Sequence, residues 1–324
     1  MGIMSDFVGP KVIFDPNKNP LPPLFPLPEH LNRYHSQGVT ILAAPLFTAA
    51  MPNVKAMVVR HMLEEARKAG MLDGVHTLVE ATSGNTGMSM GVIAPYYGLR
   101  VVVVVDRDLA PGKIEQLRMV GADIRYPDDG LGTIETARRL GEQPGWLNFN
   151  QYGNRLNVGA HCRYTGPHLW KKTRHKISVF SNGMGTAGTC LGVKAYFEEI
   201  GANVHVLGVA CAEGSPVPGL RSYKKLANVT LDWRSLNTLE ATQYEAYKLS
   251  LKLYRAGIMA GPSSGLALAG LLRFLEERRS SDFEGLRNAD GRVIAVFGCG
   301  DTPMPYMEKY STVLNGNDFD PLRF

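Results

Sequence analysis

Apolar residues along this chain fall into two alternating patterns, short β-branched runs and longer stretches with a helical stripe. Residues 76–80 read as a strand, and residues 88–97 read as an apolar helix with Gly91 inside it. Between them lies Thr82-Ser83-Gly84-Asn85-Thr86-Gly87, a run of backbone donors, hydroxyls and one amide. A strand-turn-helix order places such a loop at the carboxyl end of a strand, with free N–H groups at the helix start. It suits an anion there, and equally a tight turn closed by a Ser/Thr cap. Upstream, residues 38–43 predict a strand and residues 53–70 a helix, which Asn53 can cap and Gly70 can end, so that Lys55 falls in its first turn. Downstream, Arg100 to Asp106 holds five consecutive valines, as expected of a strand covered on both faces of a parallel sheet. A helix over 111–120, a strand over 123–126 and a helix over 132–141 continue the alternation, which is the mark of a doubly wound sheet.

A second βα series follows. Residues 145–166 read as irregular and polar, with four asparagines, and suit a crossover between domains. A strand from Ile177 runs into Gly183-Met184-Gly185-Thr186-Ala187-Gly188-Thr189, then a helix extends to about residue 200. Strand 204–210, helix 240–256, loop Gly261-Pro262-Ser263-Ser264-Gly265, helix 266–279 and strand 292–298 complete the pattern. The fold class expected is α/β, with two domains, each an open and mainly parallel sheet with helices on both faces. The divisions expected are an arm and first strand over residues 1–45, a smaller domain over 46–155 and a larger one over 156–324. Prolines over residues 9–28 keep that arm from being regular helix, so it should lie extended over a domain surface.

Composition narrows the class without naming a function. With 324 residues, 44% hydrophobic and 20% charged, the chain can build a core that needs no disulfide or metal. Its net charge of +5 is scattered, and no basic block with interleaved aromatics marks a nucleic-acid face. Cys162, Cys190, Cys211 and Cys299 show neither zinc-site spacing nor a disulfide framework, which makes a reducing cytoplasm the default. Residues 1–19 have no signal-peptide core, and Val101–Val105 is too short to span a bilayer, so a soluble, untargeted protein is expected. His161 and His168 have no partners at metal-ligand spacing, and no metal is expected.

The chemistry concentrates in the glycine-rich loops and one lysine. Gly183–Thr189 offers three glycines, two threonine hydroxyls and a helix start, which fits a phosphate. It lacks the Lys-Ser/Thr close of a Walker loop. It matches GxGxxG, although no acid follows at a strand end about 20 residues on; a structural turn is the remaining reading. A phosphate-bearing cofactor beside a lysine suggests pyridoxal 5'-phosphate, whose aldehyde needs an amine. Lys55 is the candidate, because Ile41 to Val59 is otherwise uncharged and low polarity depresses an amine's pKa. Otherwise it is a solvated helix lysine.

In order, Asn53-Val54-Lys55, Thr82–Gly87, Gly185–Thr189 and Gly261–Gly265 resemble the cysteine synthase and cystathionine β-synthase family, the fold type II pyridoxal-phosphate enzymes with a tryptophan synthase β-like fold. Gln151-Tyr152-Gly153-Asn154, His161 and Thr165-Gly166-Pro167 add to the likeness, which covers roughly residues 18 to 312. The resemblance implies that Lys55 forms the Schiff base, that Gly185, Thr186, Ala187, Gly188 and Thr189 hold the phosphate, that Asn85 meets the ring hydroxyl and that Ser263 faces the pyridine nitrogen. Thr82, Ser83, Gly84, Thr86 and Gln151 would bind the substrate carboxylate. The activity implied is β-replacement on an O-activated serine such as O-acetylserine or O-phosphoserine. Elimination to an aminoacrylate, with Lys55 as general base, comes before nucleophile addition. Related dehydratases carry Ser-Gly-Asn-His in the loop, so Thr-Ser-Gly-Asn-Thr-Gly favours replacement. A serine opposite the nitrogen should leave that nitrogen unprotonated. The partners implied are a small amino acid, a small nucleophile and, on the resemblance alone, a second copy of the chain.

Three departures bear on substrate and nucleophile. Pro52-Asn53-Val54-Lys55-Ala56-Met57 stands where the family reads Gly-Ser-Val-Lys-Asp-Arg, and Ala187 replaces a loop glycine with a methyl that needs φ below zero. After Glu213 the chain reads Gly214-Ser215-Pro216-Val217-Pro218-Gly219-Leu220-Arg221 in place of a Gly-Ile-Gly segment, and Arg221 is either a surface residue or a contact for an anionic substrate. These changes leave open a secondary-metabolic β-substituted-alanine synthase, a serine-using cystathionine β-synthase type enzyme, or a non-catalytic cofactor-binding or partner-binding protein. Cys299, after a buried strand, reads as a core residue.

Overall fold

The structure is a computed structural model that describes residues 13–128 and 130–320. Residues 9–12 of the expected proline-rich arm lie outside the described residues. In chain order the strands are β1 (Phe25–Pro26), β2 (Val39–Pro45), β3 (Thr77–Ala81), β4 (Arg100–Val104), β5 (Asp123–Arg125), β6 (Trp146–Asn148), β7 (Val179–Gly183), β8 (His205–Cys211), β9 (Asn237–Ala241) and β10 (Val293–Cys299). They form two sheets, ordered β5-β4-β3-β6 and β1-β2-β10-β7-β8-β9. Pairing is parallel throughout except where β1 meets β2, with Phe25 opposite Ala43. Each sheet belongs to its own compact unit. One unit comprises Phe47–Ala160 with the stretch ending at Pro20, and the other comprises Leu21–Leu46 with the chain from His161 onward.

In the four-stranded unit the valine run does what its composition requires. Val101, Val103 and Val105 join one core cluster with Leu78, Val58, Val59, Ile93 and Leu117. Val102 and Val104 join a second with Val79, Ala81 and Ala137. Alternate side chains thus meet helices on both faces, and each buried valine contributes about 1.5–3 kcal/mol relative to an exposed one. The helices Lys55–Lys68, Asn85–Ile93 and Pro111–Met119 cover the first face, and Thr133–Leu140 covers the second. Glycine sets how closely they pack. A Cβ on Gly91 would meet Val120, and one on Gly87 would meet Leu117 and Val103. In the six-stranded unit Val209, Ala246, Leu266 and Ala269 form a core patch between the sheet and the helices Gln243–Arg255 and Pro262–Glu277.

Four local expectations need correction. The helix expected from residue 240 begins at Gln243, because Glu240 pairs with Ala210 in the sheet and Thr242 makes a capping box with Glu245. Gly261 to Gly265 is no loop. Gly261 precedes a helix over Pro262–Glu277, and Pro262 sits at its first position. The stretch 145–166 is largely ordered: β6, the helix Arg155–Ala160 and a wider helical turn over His161–Thr165 lie in it. Its asparagines read as loop residues, yet three of the four are spent on backbone. Asn148 donates to Val79 O at 2.7 Å, Asn154 to Phe149 O at 2.8 Å and Asn157 to Gln151 O at 3.0 Å. Finally, Ala187 has φ of 61°, in the left-handed region rather than below zero. The start of the helix Gly188–Glu199 imposes that conformation, at about 1–2 kcal/mol for a residue with a Cβ.

Candidate functional site

Strand order fixes where ligands bind in each unit. From β3 the first sheet grows through β4 to β5 and then returns to β6 on the other side of β3. The loops after β3 and β6 therefore diverge, opening a crevice at the carboxyl ends. Those loops carry Thr82 to Gly84 and Gln151. Thr86, in the first turn of the following helix, donates from Oγ1 to Gln151 Oε1 at 2.7 Å, and both side chains are buried. Gly84 N donates to Thr82 Oγ1 at 3.4 Å, Ser83 is exposed, and Asn85 opens the helix Asn85–Ile93.

Lys55 opens the helix Lys55–Lys68 in the same unit. Its N–H donates to Asn53 Oδ1 at 3.0 Å, and that oxygen also accepts from Ser89 Oγ at 2.9 Å, so Asn53 ties the lysine to the helix that begins at Asn85. Burial lowers the Lys55 amine from 10.5 to about 8. A substantial neutral fraction at pH 7 to 8 follows, as imine chemistry requires. Ala56 and Met57, which stand where the family carries a charged pair, are buried.

Beneath this crevice sits an acid that sequence reasoning left unremarked. Glu80 is 1% exposed; its Oε1 accepts from Ala81 N at 3.1 Å and its Oε2 from Gln151 N at 3.3 Å. Burial pushes its carboxyl up to about 8, against the lowering effect of those backbone donors. Its signal in the sequence was a lone acid inside a hydrophobic strand two residues ahead of the loop.

The second unit repeats the arrangement. Its sheet grows from β7 through β8 to β9 and returns to β10 beside β7, so the loops after β7 and β10 flank another switch point. Gly185, Thr186 and Ala187 lie in the first loop, with Gly188 and Thr189 opening a helix of 12 residues whose start carries no side-chain cap from Ala187. Close approach explains two of the glycines: a Cβ on Gly185 would strike the Gly219 carbonyl, and one on Gly183 would meet Leu220 at 2.6 Å and the Ser263 carbonyl at 3.4 Å. The end of β7, where the glycine-rich loop begins, and Ser263 are thus brought together within this unit. Thr189 Oγ1 lies 3.1 Å from His161 Nε2, and His161 Nδ1 lies 2.9 Å from Thr165 Oγ1, so the buried histidine bridges two threonines. Arg221 packs its main chain along the loop through Met184 O at 2.9 Å, while its guanidinium donates to Lys225 O at 3.2 Å. Cys299 is buried, and burial pushes its thiol up to about 12.

A family profile described as pyridoxal-phosphate dependent enzyme matches residues 45–287. The chain belongs to that family. This pyridoxal-phosphate-dependent enzyme is 32% identical over 227 residues to cysteine synthase B of Salmonella typhimurium, which spans 68% of this chain and 75% of that protein. Its fold is shared with O-ureido-L-serine synthase, at a TM-score of 0.76 and 21% identity over 91% of this chain and 93% of that one. A cysteine synthase from Entamoeba histolytica has a TM-score of 0.74 at 22% identity, covering 90% and 88% of the two chains. The residues present fit the cofactor the family uses. The enzyme has an amine lowered to about 8 by burial, and the start of the helix Gly188–Glu199 carries the hydroxyls of Thr186 and Thr189, with Thr186 Oγ1 accepting from Gly188 N at 3.4 Å. Among the described residues no cluster of His, Cys, Asp or Glu is placed to hold a metal, and no helix is long and apolar enough to cross a membrane.

Proposed function

We propose that the enzyme carries out β-replacement on an O-activated serine such as O-acetylserine or O-phosphoserine, as a cysteine synthase does. What supports this reading is the likeness to cysteine synthase B, 32% identical over 227 residues, together with a half-buried Lys55 at the start of its helix. In this reading Gly185, Thr186, Ala187, Gly188 and Thr189 hold the phosphate ester, Asn85 meets the ring hydroxyl, and Ser263 faces the ring nitrogen. The substrate carboxylate is bound by Thr82, Ser83, Gly84, Thr86 and Gln151. Thr86 and Gln151 already share a hydrogen bond at the mouth of the switch point, so the pair is positioned before substrate arrives.

When bound, the cofactor supplies an aldehyde carbon for the substrate amine and an electron-withdrawing ring that acidifies the Cα–H bond. The neutral Lys55 amine takes the Cα proton and holds it at Nζ. The bond from Cβ to the ester oxygen breaks, and the leaving group departs with its electron pair. A bond from Cβ to the nucleophile forms, and Lys55 returns its proton to Cα. Thr86 and Gln151 meanwhile hold the carboxylate, which fixes Cα in line with Nζ.

Serine, O-acetylserine and O-phosphoserine, each mixed with sulfide, cyanide, an amine or homocysteine and read by product mass, test this. Cysteine from an O-activated serine and sulfide is the expected result. A bound-cofactor absorption spectrum unmoved by every serine derivative would refute catalysis. Lys55→Ala protein that retained the band of lysine-linked cofactor would refute the assignment of Lys55.

A further inference from the structure

Glu80 meets the loop after β6 as well as its own strand. Its Oε1 accepts from Ala81 N at 3.1 Å and its Oε2 from Gln151 N at 3.3 Å, and the Asn150 N–H and the Asn148 side chain also donate toward the carboxyl. One buried side chain thus ties the residue before Thr82 to Gln151, across the two loops that leave β3 and β6. The turn it holds is an unusual one. Asn150 has φ of 49°, a left-handed backbone that asparagine tolerates at modest cost, and its carbonyl accepts from Gly153 N and Asn154 N at 3.0 Å each. Asn157 Nδ2 donates to Gln151 O at 3.0 Å, so Gln151 is held at its N–H by Glu80 and at its C=O by Asn157. With its main chain fixed, Gln151 turns its side chain to Thr86, whose Oγ1 donates to Oε1 at 2.7 Å, and reaches Ala81 O from Nε2 at 3.4 Å.

A carboxyl group offers an acceptor at each oxygen, whereas an amide offers one. Burial pushes the Glu80 carboxyl up to about 8, so near neutral pH it takes both peptide donors without setting a fixed negative charge behind an anion site. We propose that Glu80 is a positioning residue for the substrate carboxylate: by seating the N–H groups of Ala81 and Gln151 on one carboxyl, it sets the spacing between the loop carrying Thr82 to Gly84 and the Gln151 side chain. This rests on the assignment of the carboxylate to Thr82, Ser83, Gly84, Thr86 and Gln151 given above. Glu80 is 1% exposed and acts through those residues rather than by contact. The two loops leave different strands, far apart in sequence, and a shared acceptor fixes their separation before substrate arrives. The consequence is selectivity for a carboxylate over a neutral group at that end of the substrate.

Holoenzyme titrated with L-alanine, which has no leaving group, and with L-alaninamide, which lacks the carboxylate, tests this, each read by the shift in cofactor absorption. Wild type is expected to bind alanine more tightly than alaninamide. Glu80→Gln leaves one peptide N–H facing an amide nitrogen and is expected to weaken alanine about tenfold, with alaninamide unchanged. Glu80→Met keeps the length, removes both acceptors and is expected to lower the ratio further; where it does not fold, Glu80→Gln decides. In a Gln151→Ala background Glu80→Gln is expected to cost much less, since the residue it acts through is gone. An unchanged ratio in Glu80→Gln, an equal loss for both ligands, or a full further loss in the Gln151→Ala background overturns the positioning role and leaves the carboxylate site standing. A wild type that does not favour alanine overturns the carboxylate site itself, and this inference with it.

Discussion

Replacing Glu80 with glutamine should change how stability depends on pH. Burial raises the Glu80 carboxyl from 4.5 to about 8 in the folded protein. Between those values the folded chain holds a proton that the unfolded chain has released, so stability falls as pH rises across the window. At about 1.4 kcal/mol per pH unit, the full window amounts to roughly 5 kcal/mol. Glutamine cannot ionise. It fills nearly the same space, although one of the backbone donors from Ala81 and Gln151 would then face an amide nitrogen, a fixed cost of about 1 kcal/mol that does not vary with pH. Stability of the wild type relative to Glu80→Gln should therefore be highest and flat below about pH 4.5, decline by several kcal/mol across the window, and level off above pH 8. Urea unfolding of both cofactor-free proteins at a series of pH values measures it. A difference constant across the window would mean that Glu80 is ionised throughout, and that its backbone donors outweigh its burial.

Four further outcomes are expected. Ala187→Gly relieves a left-handed alanine and should stabilise the protein by about 1 kcal/mol, read as a rise in the thermal midpoint. Gly91→Ala drives a methyl against the Val120 side chain and carbonyl, and should cost about 1–3 kcal/mol in urea unfolding. Thr242→Ala breaks the capping box with Glu245 and should cost about 1 kcal/mol, with Thr242→Ser largely restoring it. With the Lys55 amine near 8, the rate of cofactor capture by the apo protein should climb with pH and flatten just above 8, whereas an ordinary lysine would keep climbing toward 10.5.

Much of the architecture was legible because it rests on local chemistry. The valine run had to be covered on both faces, and the glycine-rich turns had to follow strands. Pro262 marked a helix start rather than a loop, and Thr242 with Glu245 spelled a capping box; these signals were present but were outweighed by the apolar stripe around them. What could not be read depends on strand order. Glu80 is buried because β6 returns beside β3, and Asp301 meets Ser263 because β10 returns beside β7; neither adjacency leaves a mark in the spacing of residues. Ala187 shows the limit of a conformational rule. A penalty of about 1–2 kcal/mol excludes nothing when a helix start and a buried loop require that backbone.

The position of β10 has a consequence for the order in which the molecule assembles. β2 is made early, but its parallel partner is β10, with Val39 opposite Val293 and Pro45 opposite Cys299. β10 is also the strand that joins β2 to β7. On the ribosome the four-stranded unit can close while β2 waits, its hydrogen-bonding edge and the apolar side chains of Ile41 and Ala43 unsheltered for some 250 residues of further synthesis. A nascent chain ending before Val293 holds the larger sheet as two separate pieces, β1-β2 and β7-β8-β9, and is the species on which a chaperone would have most to do.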